Sequence, residues 1–120
     1  MKYLLTLGFS LATIWCAAQS GVKFDKSSHQ FGKIKKGIHK SVIFSYTNLD
    51  PRPAVIEFAN AEGGCTEPVY DQKPILKGQG GSLKVTYTPP AEGAFRKKVT
   101  VKFAGQKLPT ELVIEGEVIK

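Results

Sequence analysis

The residue with the most chemical potential is Cys65, in the run Gly63-Gly64-Cys65-Thr66-Glu67-Pro68. A cysteine thiolate is a strong nucleophile, but nucleophilic catalysis needs a nearby base, usually histidine. The histidines are His29 and His39, and nothing in the sequence specifies contact between either ring and the thiol. A free cysteine is often only a small apolar side chain. Two interpretations of Cys65 therefore stand, an inert residue, which we favour, and a reactive thiol.

The same residues make a poor set of metal ligands. A structural zinc site takes three or four Cys or His ligands at short spacing, and Cys65 has only His29 and His39 as partners. Copper(I) favours soft sulfur ligands, but Cys16 lies in a segment that we expect to be removed. We predict no metal, no cofactor and no catalytic residue.

Basic residues cluster around the predicted turn at Lys36-Gly37. No acidic residue lies near them in sequence, so they are the better candidate for contact with an anion or a partner. Lysines at a sheet edge also discourage edge-to-edge association, and solvated lysines are the alternative that we favour. The cluster consists of Lys33, Lys35, Lys36, His39 and Lys40.

A second basic stripe, Arg96, Lys98 and Lys102, follows the spacing of one strand face. It would suit a polyanion. The hairpin predicted below sets Glu111 and Glu115 beside it, and cross-strand charge pairs of roughly 0.2–1 kcal/mol each explain the pattern without a ligand.

The N-terminus has the pattern of an export signal. Lys2 precedes an uncharged, mostly apolar stretch that is too short to span a bilayer, and Cys16-Ala17-Ala18 offers small residues for cleavage after Ala18. Lipidation of Cys16 is the alternative, which the bulky Trp15 disfavours. We expect a cleaved signal peptide, residues 1–18, and one domain, residues 19–120.

Composition bounds the class of protein further. Without its signal the chain keeps one cysteine, so no intrachain disulfide forms. Loss of Lys2 lowers the formal net charge from +7 to +6, which attracts anionic surfaces or simply favours solubility. No later segment approaches the ~20 apolar residues of a membrane helix. No platform of aromatic and basic residues suggests nucleic-acid binding.

Period-two alternation, punctuated by Gly and Pro, predicts an all-β fold. Ile38 is expected to share a buried face with Val42, and Ile56 with Phe58. About seven short strands indicate an immunoglobulin-like antiparallel β-sandwich, with a closed barrel as the alternative. The predicted strands are Val22–Phe24 and residues 30–34, 38–47, 55–61, 74–76, 83–87, 95–103 and 108–118.

The last two runs predict a hairpin with a two-residue turn at Gly105-Gln106. This register places Val99 opposite Leu112 and Phe103 opposite Leu108 on the inner face. It places Arg96 opposite Glu115 and Thr100 opposite Glu111 on the outer face. A slip by one residue would bury those charges, so the register is well specified.

Five short motifs, taken in order, resemble a secreted bacterial family, domain of unknown function 1573 (DUF1573). The resemblance covers roughly residues 22–118 and implies a seven-strand sandwich similar to hydin-type immunoglobulin-like domains. The motifs are Phe31-Gly32-Lys33-Ile34-Lys35-Lys36-Gly37, Phe44-Ser45-Tyr46-Thr47-Asn48, Gly64-Cys65-Thr66, the run from Pro74 to Tyr87, and Gly93-Ala94-Phe95.

The resemblance also implies export and no established enzyme activity. The family loop commonly reads Cys-Gly-Cys-Thr, and Gly63 stands where the first cysteine would be. A paired site would allow a strained disulfide or a soft-metal site, which Cys65 alone does not.

We therefore expect an exported, non-catalytic binding or scaffolding module of the cell envelope, in the periplasm or at the cell surface. Its expected partner is an unidentified envelope protein or an anionic surface polymer, and the chain is expected to be a monomer or a weak dimer. The alternative function is thiol redox chemistry or soft-metal binding at Cys65. An intermolecular disulfide through Cys65 is a third possibility.

Overall fold

The computed structural model describes residues 21–120, all of whose regular structure is β. The predicted signal peptide, including Cys16, lies outside these residues. None of the described residues forms a helix long and apolar enough to cross a membrane. The strands are β1 (Val22–Phe24), β2 (Ser28–Lys35), β3 (Lys40–Asn48), β4 (Ile56–Ala61), β5 (Thr66–Tyr70), β6 (Gly80–Tyr87), β7 (Gly93–Phe103) and β8 (Thr110–Ile119).

The strands form two four-stranded sheets. Sheet 1 has the order β1-β3-β6-β5 and sheet 2 the order β2-β8-β7-β4. All pairings are antiparallel except that of β2 with β8, which is parallel. The predicted all-β sandwich is confirmed, with eight strands among the described residues.

The strand that the sequence pattern did not predict is β5, because Pro68 interrupts it. The Thr88 amide donates to the Cys65 carbonyl at 2.9 Å, so these two residues form a hydrogen-bonded pair. The alternation of an antiparallel ladder then turns the backbone of Pro68 away from β6 toward the open edge. A missing N–H is tolerated there. The brief strand predicted at residues 74–76 is a single bridge between Ala54 and Ile75.

The core lies between the sheets and is built by the predicted alternation. Every second residue of the four central strands points inward, and each fully buried large apolar side chain contributes roughly 1.5–3 kcal/mol. The ring centroids of Tyr46 and Phe103 are 5.2 Å apart across the two sheets. The inward residues of the central strands are Val42, Phe44, Tyr46, Leu83, Val85, Tyr87, Val99, Val101, Phe103, Leu112, Ile114 and Val118.

The predicted hairpin register is confirmed, but its turn is wrong. Val99 lies opposite Leu112 and Arg96 opposite Glu115. Pairing ends at Val101 and Thr110, and a loop replaces the two-residue turn. Leu108 lies in this loop with 79% of its surface exposed, because the chain turns directly after β7, where the Gln106 amide donates to the Phe103 carbonyl at 3.2 Å.

Two further inward assignments are wrong. Ile38 precedes β3, in the turn closed by the bond from its amide to the Lys35 carbonyl at 3.2 Å, and it is exposed. Phe58 is exposed because the β4–β7 register shifts between Ile56 and Phe58. The extra residue of such a bulge sends the two side chains to opposite faces.

The end of β3 is closed by Asn48, whose surface is fully buried. Its Nδ2 donates to the carbonyls of Arg52 at 2.9 Å and Ile75 at 2.8 Å, and its Oδ1 accepts from the Asp50 amide at 2.9 Å. The Asn48 amide itself donates to the Gln79 carbonyl. One side chain therefore satisfies three backbone groups of the two loops that meet at this end of the sandwich.

Candidate functional site

The outer face of sheet 1 carries polar and charged side chains that form no ion pair among the described residues. The register of β3, β6 and β5 brings their outward side chains into rows. We name this the β3–β6–β5 face. Its two central rows are Ser41, Thr86 and Glu67, then Ile43, Lys84 and Val69.

At the Lys40 end of β3 this face sinks into an open cleft of about 830 Å³, the Lys36–Lys84 cleft. Its floor carries Ser41, Thr86, Glu67 and Lys84, from the rows just described. Three short segments form its walls: Lys36 with Gly37, Gly64 with Cys65, and Pro89 with Pro90.

Backbone hydrogen bonds hold the Lys36 wall in place. The Lys36 amide donates to the Ile119 carbonyl at 3.0 Å, and the Gly37 amide donates to the Pro89 carbonyl at 2.9 Å. The turn is thereby tied both to sheet 2 and to the neighbouring Pro89 segment. The position of Lys36 at the rim follows from these two bonds.

Cys65 and His39 both line this cleft. The His39 ring is hydrogen-bonded through Nδ1 to the Thr88 hydroxyl at 2.6 Å, and within residues 21–120 no hydrogen bond joins it to the Cys65 thiol. Cys65 is half-buried and packs against the core. Burial raises the pKa of Tyr87, and the neighbouring Cys65 thiolate would raise it further. The structure brings the thiol and an imidazole into one cleft without pairing them.

His29 lies elsewhere, on β2 of sheet 2. Its Nδ1 is 3.1 Å from the Lys26 ammonium, and its ring packs edge-on against Phe31. Burial, reinforced by the Lys26 charge, lowers the pKa of His29. His29 is therefore not a base for Cys65. Across residues 21–120, no three His, Cys, Asp or Glu side chains are grouped to hold a metal ion.

The predicted basic cluster is divided by the fold. Lys33 lies on β2 opposite Glu117, and Lys35 on the same strand opposite Ile119. Lys40 is exposed at the start of β3. Of the lysines of that cluster, the cleft takes only Lys36.

The cation that sequence reasoning missed is Lys84. In the sequence it is one polar residue in the alternation of β6, and its place on the floor of the cleft depends on β3 and the unpredicted β5. Lys84 also lines a second, shallower depression with Val69, Asp71 and Ser82. It therefore stands between two concave parts of one face.

Two cations of sheet 2 have carboxylate neighbours. Arg96 Nε lies 3.9 Å from Glu115, and Lys102 Nζ lies 3.1 Å from Glu57. The backbone amide of Lys98 donates to the Glu62 carboxylate at 2.9 Å. Sheet 2 thus presents interleaved charges of both signs.

A family model described as protein of unknown function (DUF1573) matches residues 22–118. The chain belongs to this family. No curated protein matches the chain. The DUF1573 domain here departs from the loop that the resemblance implies, because Gly63 occupies the first cysteine position and has a φ of 76°.

Solved structures similar to this DUF1573 domain are β-sandwiches of low sequence identity. A PapD-like domain of human CEP192 has a TM-score of 0.68 and 9% identity, covering 98% of each chain. A protein of unknown function from Porphyromonas gingivalis W83 has a TM-score of 0.69 and 13% identity, covering 86% of this chain and 49% of that one. The secreted serine protease VesC from Vibrio cholerae has a TM-score of 0.64 and 9% identity, covering 83% of this chain but 23% of that one. At these identities the similarity shows the fold alone.

Proposed function

We propose that this DUF1573 domain is an exported, non-catalytic binding module that receives an anionic partner in the Lys36–Lys84 cleft. The observation that carries the proposal is that one concave surface gathers two lysines from distant parts of the chain. Lys36 and Lys84 both line the cleft, and neither forms an ion pair within residues 21–120.

The lining of the cleft suits an anion. The Lys36 and Lys84 ammonium groups supply charge, and the hydroxyls of Ser41 and Thr86, bonded to each other at 2.8 Å, supply polar atoms on the floor. Glu67 is the carboxylate that shares this lining. The balance of fixed charge remains positive, and concave basic surfaces concentrate anionic partners.

The arrangement around Cys65 supports binding over catalysis. A catalytic thiol needs a base within hydrogen-bond reach and a group that orients the base. The His39 nitrogen that is hydrogen-bonded contacts Thr88, and no such bond from His39 to the thiol exists among the described residues. We therefore assign Cys65 to the wall of the cleft.

The proposal is tested by titrating two polyanions, poly-L-glutamate and dextran sulfate, into the isotopically labelled protein. We expect amide shifts at residues 36–39, 64–67 and 84–88, weakening at higher salt because exposed charges are screened over about 8 Å at 0.15 M. The double variant Lys36→Glu, Lys84→Glu should lose the shifts. The matched control is Lys23→Glu, Lys107→Glu, which changes net charge equally at two exposed positions outside the cleft. Shifts that are absent, or that the control abolishes equally, would exclude this cleft as the binding surface.

Export of residues 19–120 to the periplasm or cell surface is part of the same proposal. The N-terminal pattern at residues 1–18 supports it. Mass measurement of the protein recovered from the cell envelope should place the mature N-terminus at Gln19. An intact N-terminus at Met1 would contradict export by signal cleavage.

A further inference from the structure

We infer that the occupant of this surface is an extended acidic peptide segment of a partner, with a carboxylate over Lys84 and aliphatic side chains on either side of it. The inference rests on the proposed anion-binding function and specifies the chemistry of the partner. It starts from the central row of the β3–β6–β5 face.

In that row Lys84 is flanked by Ile43 on β3 and Val69 on β5. Both flanking side chains are more than half exposed, at 55% and 52%. Neighbouring strands lie about 4.8 Å apart, so the ammonium group rises between two aliphatic walls. Such a row matches a carboxylate with apolar neighbours better than it matches an isolated small anion.

The concave surface extends to both sides of this row. The Lys36–Lys84 cleft lies on one side and the shallow depression at Ser82 and Asp71 lies on the other, with Lys84 lining both. The row itself crosses the strands, and its three residues span about 10 Å at about 4.8 Å per strand. An extended peptide that crosses the strands here sets alternate side chains over Ile43, Lys84 and Val69.

Charge differs between the two sides of this row. Lys36 and His39 line one side, and Asp71 lines the other. A peptide that crosses the row places one carboxylate at Lys84 and none beside Asp71. A uniformly charged polymer would place negative charge beside Asp71, and it would offer no apolar group to contact Ile43 and Val69. The surface therefore favours a peptide of mixed character over an anionic polysaccharide.

The test compares three capped eight-residue peptides, identical except at the core. The cores are Val-Ser-Glu-Ser-Val, Ser-Ser-Glu-Ser-Ser and Val-Ser-Gln-Ser-Val, and dextran sulfate is the polymer control. Affinity is measured from amide shifts of the full chain. We expect the first peptide to bind about fivefold more tightly than either of the others. The Gln peptide lacks the ion pair, for which about fivefold is the upper range at an exposed site. The Ser-flanked peptide lacks the apolar contacts, which contribute a similar amount.

Protein variants separate the contribution of the ion pair at Lys84 from that of the apolar contact at Ile43. Lys84→Met should cost about fivefold with the first peptide and nothing with the Gln peptide. Ile43→Ser should weaken the first peptide and leave the Ser-flanked peptide unchanged. Leu108→Ser is the matched control, because it removes an exposed aliphatic side chain in the loop after β7, outside the β3–β6–β5 face. All three positions are exposed, so the fold is retained.

The outcomes separate this inference from the proposed function. Equal affinity for all three peptides, or preference for dextran sulfate with shifts at the cleft, overturns the peptide inference and leaves anion binding standing. If neither the peptides nor dextran sulfate shifts the amide signals of the cleft, both the peptide inference and the proposed anion binding are overturned.

Discussion

Replacement of Asn48 by alanine should unfold the domain more readily than any surface change. Its side chain makes three hydrogen bonds to backbone groups of Asp50, Arg52 and Ile75, and it is fully buried. Each bond contributes about 1 kcal/mol net. The expected loss is therefore about 3 kcal/mol, rising to about 5 kcal/mol if the released carbonyls and amide stay shielded from water. Small domains have roughly 5–15 kcal/mol of stability in total.

Urea denaturation followed by circular dichroism measures this loss. The midpoint should fall while the dependence of the unfolding free energy on urea stays constant, because that slope reports the surface exposed on unfolding. Asn48→Asp keeps an acceptor at Oδ1 but loses both donors, so it should be almost as damaging. Asn60→Ala is the control, since Asn60 is exposed on β4, and surface changes usually fall within about 0.5 kcal/mol. A loss below about 1 kcal/mol for Asn48→Ala would refute the reasoning that this residue joins the two loops.

Three further predictions follow from single contacts. Thr66→Val should raise the unfolding free energy by about 1 kcal/mol, because the buried Thr66 hydroxyl has no hydrogen-bond partner among the described residues; an unchanged or lower urea midpoint would argue against this. Gly116→Ala should cost about 1–3 kcal/mol, because its new Cβ would lie 2.8 Å from a backbone oxygen. Gly64→Ala, which meets nothing within 4 Å, should be near neutral, and equal losses for the two glycines would exclude a steric cause. Hydrogen bonds from Arg52 lower the pKa of Asp50 to about 2. Asp50 therefore contributes stability that is present above pH 4 and is lost as pH falls toward 2. Urea midpoints across that range should fall less steeply in Asp50→Asn, and parallel curves would contradict the assignment.

The fold could be predicted where alternation alone decides which face is buried. The inward residues of β3, β6, β7 and β8 were all readable, and so was the Val99–Leu112 register, because a slip would bury charge. The turn after Phe103 was not readable, since the bond from the Gln106 amide to the Phe103 carbonyl replaces the two-residue turn that Gly105-Gln106 suggests. The parallel pairing of β2 with β8 was equally hidden, because no local pattern records a contact between distant strands.

The candidate site was harder to predict than the fold for the same reason. Lys36 was identified because it lies in a run of lysines, but its place at the cleft depends on backbone bonds from Lys36 and Gly37 to Ile119 and Pro89, far along the chain. Lys84 carries no sequence signal of its own. Its neighbours Ile43 and Val69 come from strands on both sides, and Val69 lies on a strand that Pro68 concealed.

The parallel pair of β2 and β8 has a consequence for how the domain forms. Ser28 meets Val113, about 85 residues later in the chain, and β8 separates β2 from the rest of sheet 2. Until β8 exists, β2 has no strand to pair with and the second sheet cannot close. Contacts between such distant segments form slowly. A chain cut short before Thr110 should therefore stay unfolded rather than adopt a smaller version of the sandwich, because β2 and β7 would both lack the strand that joins them.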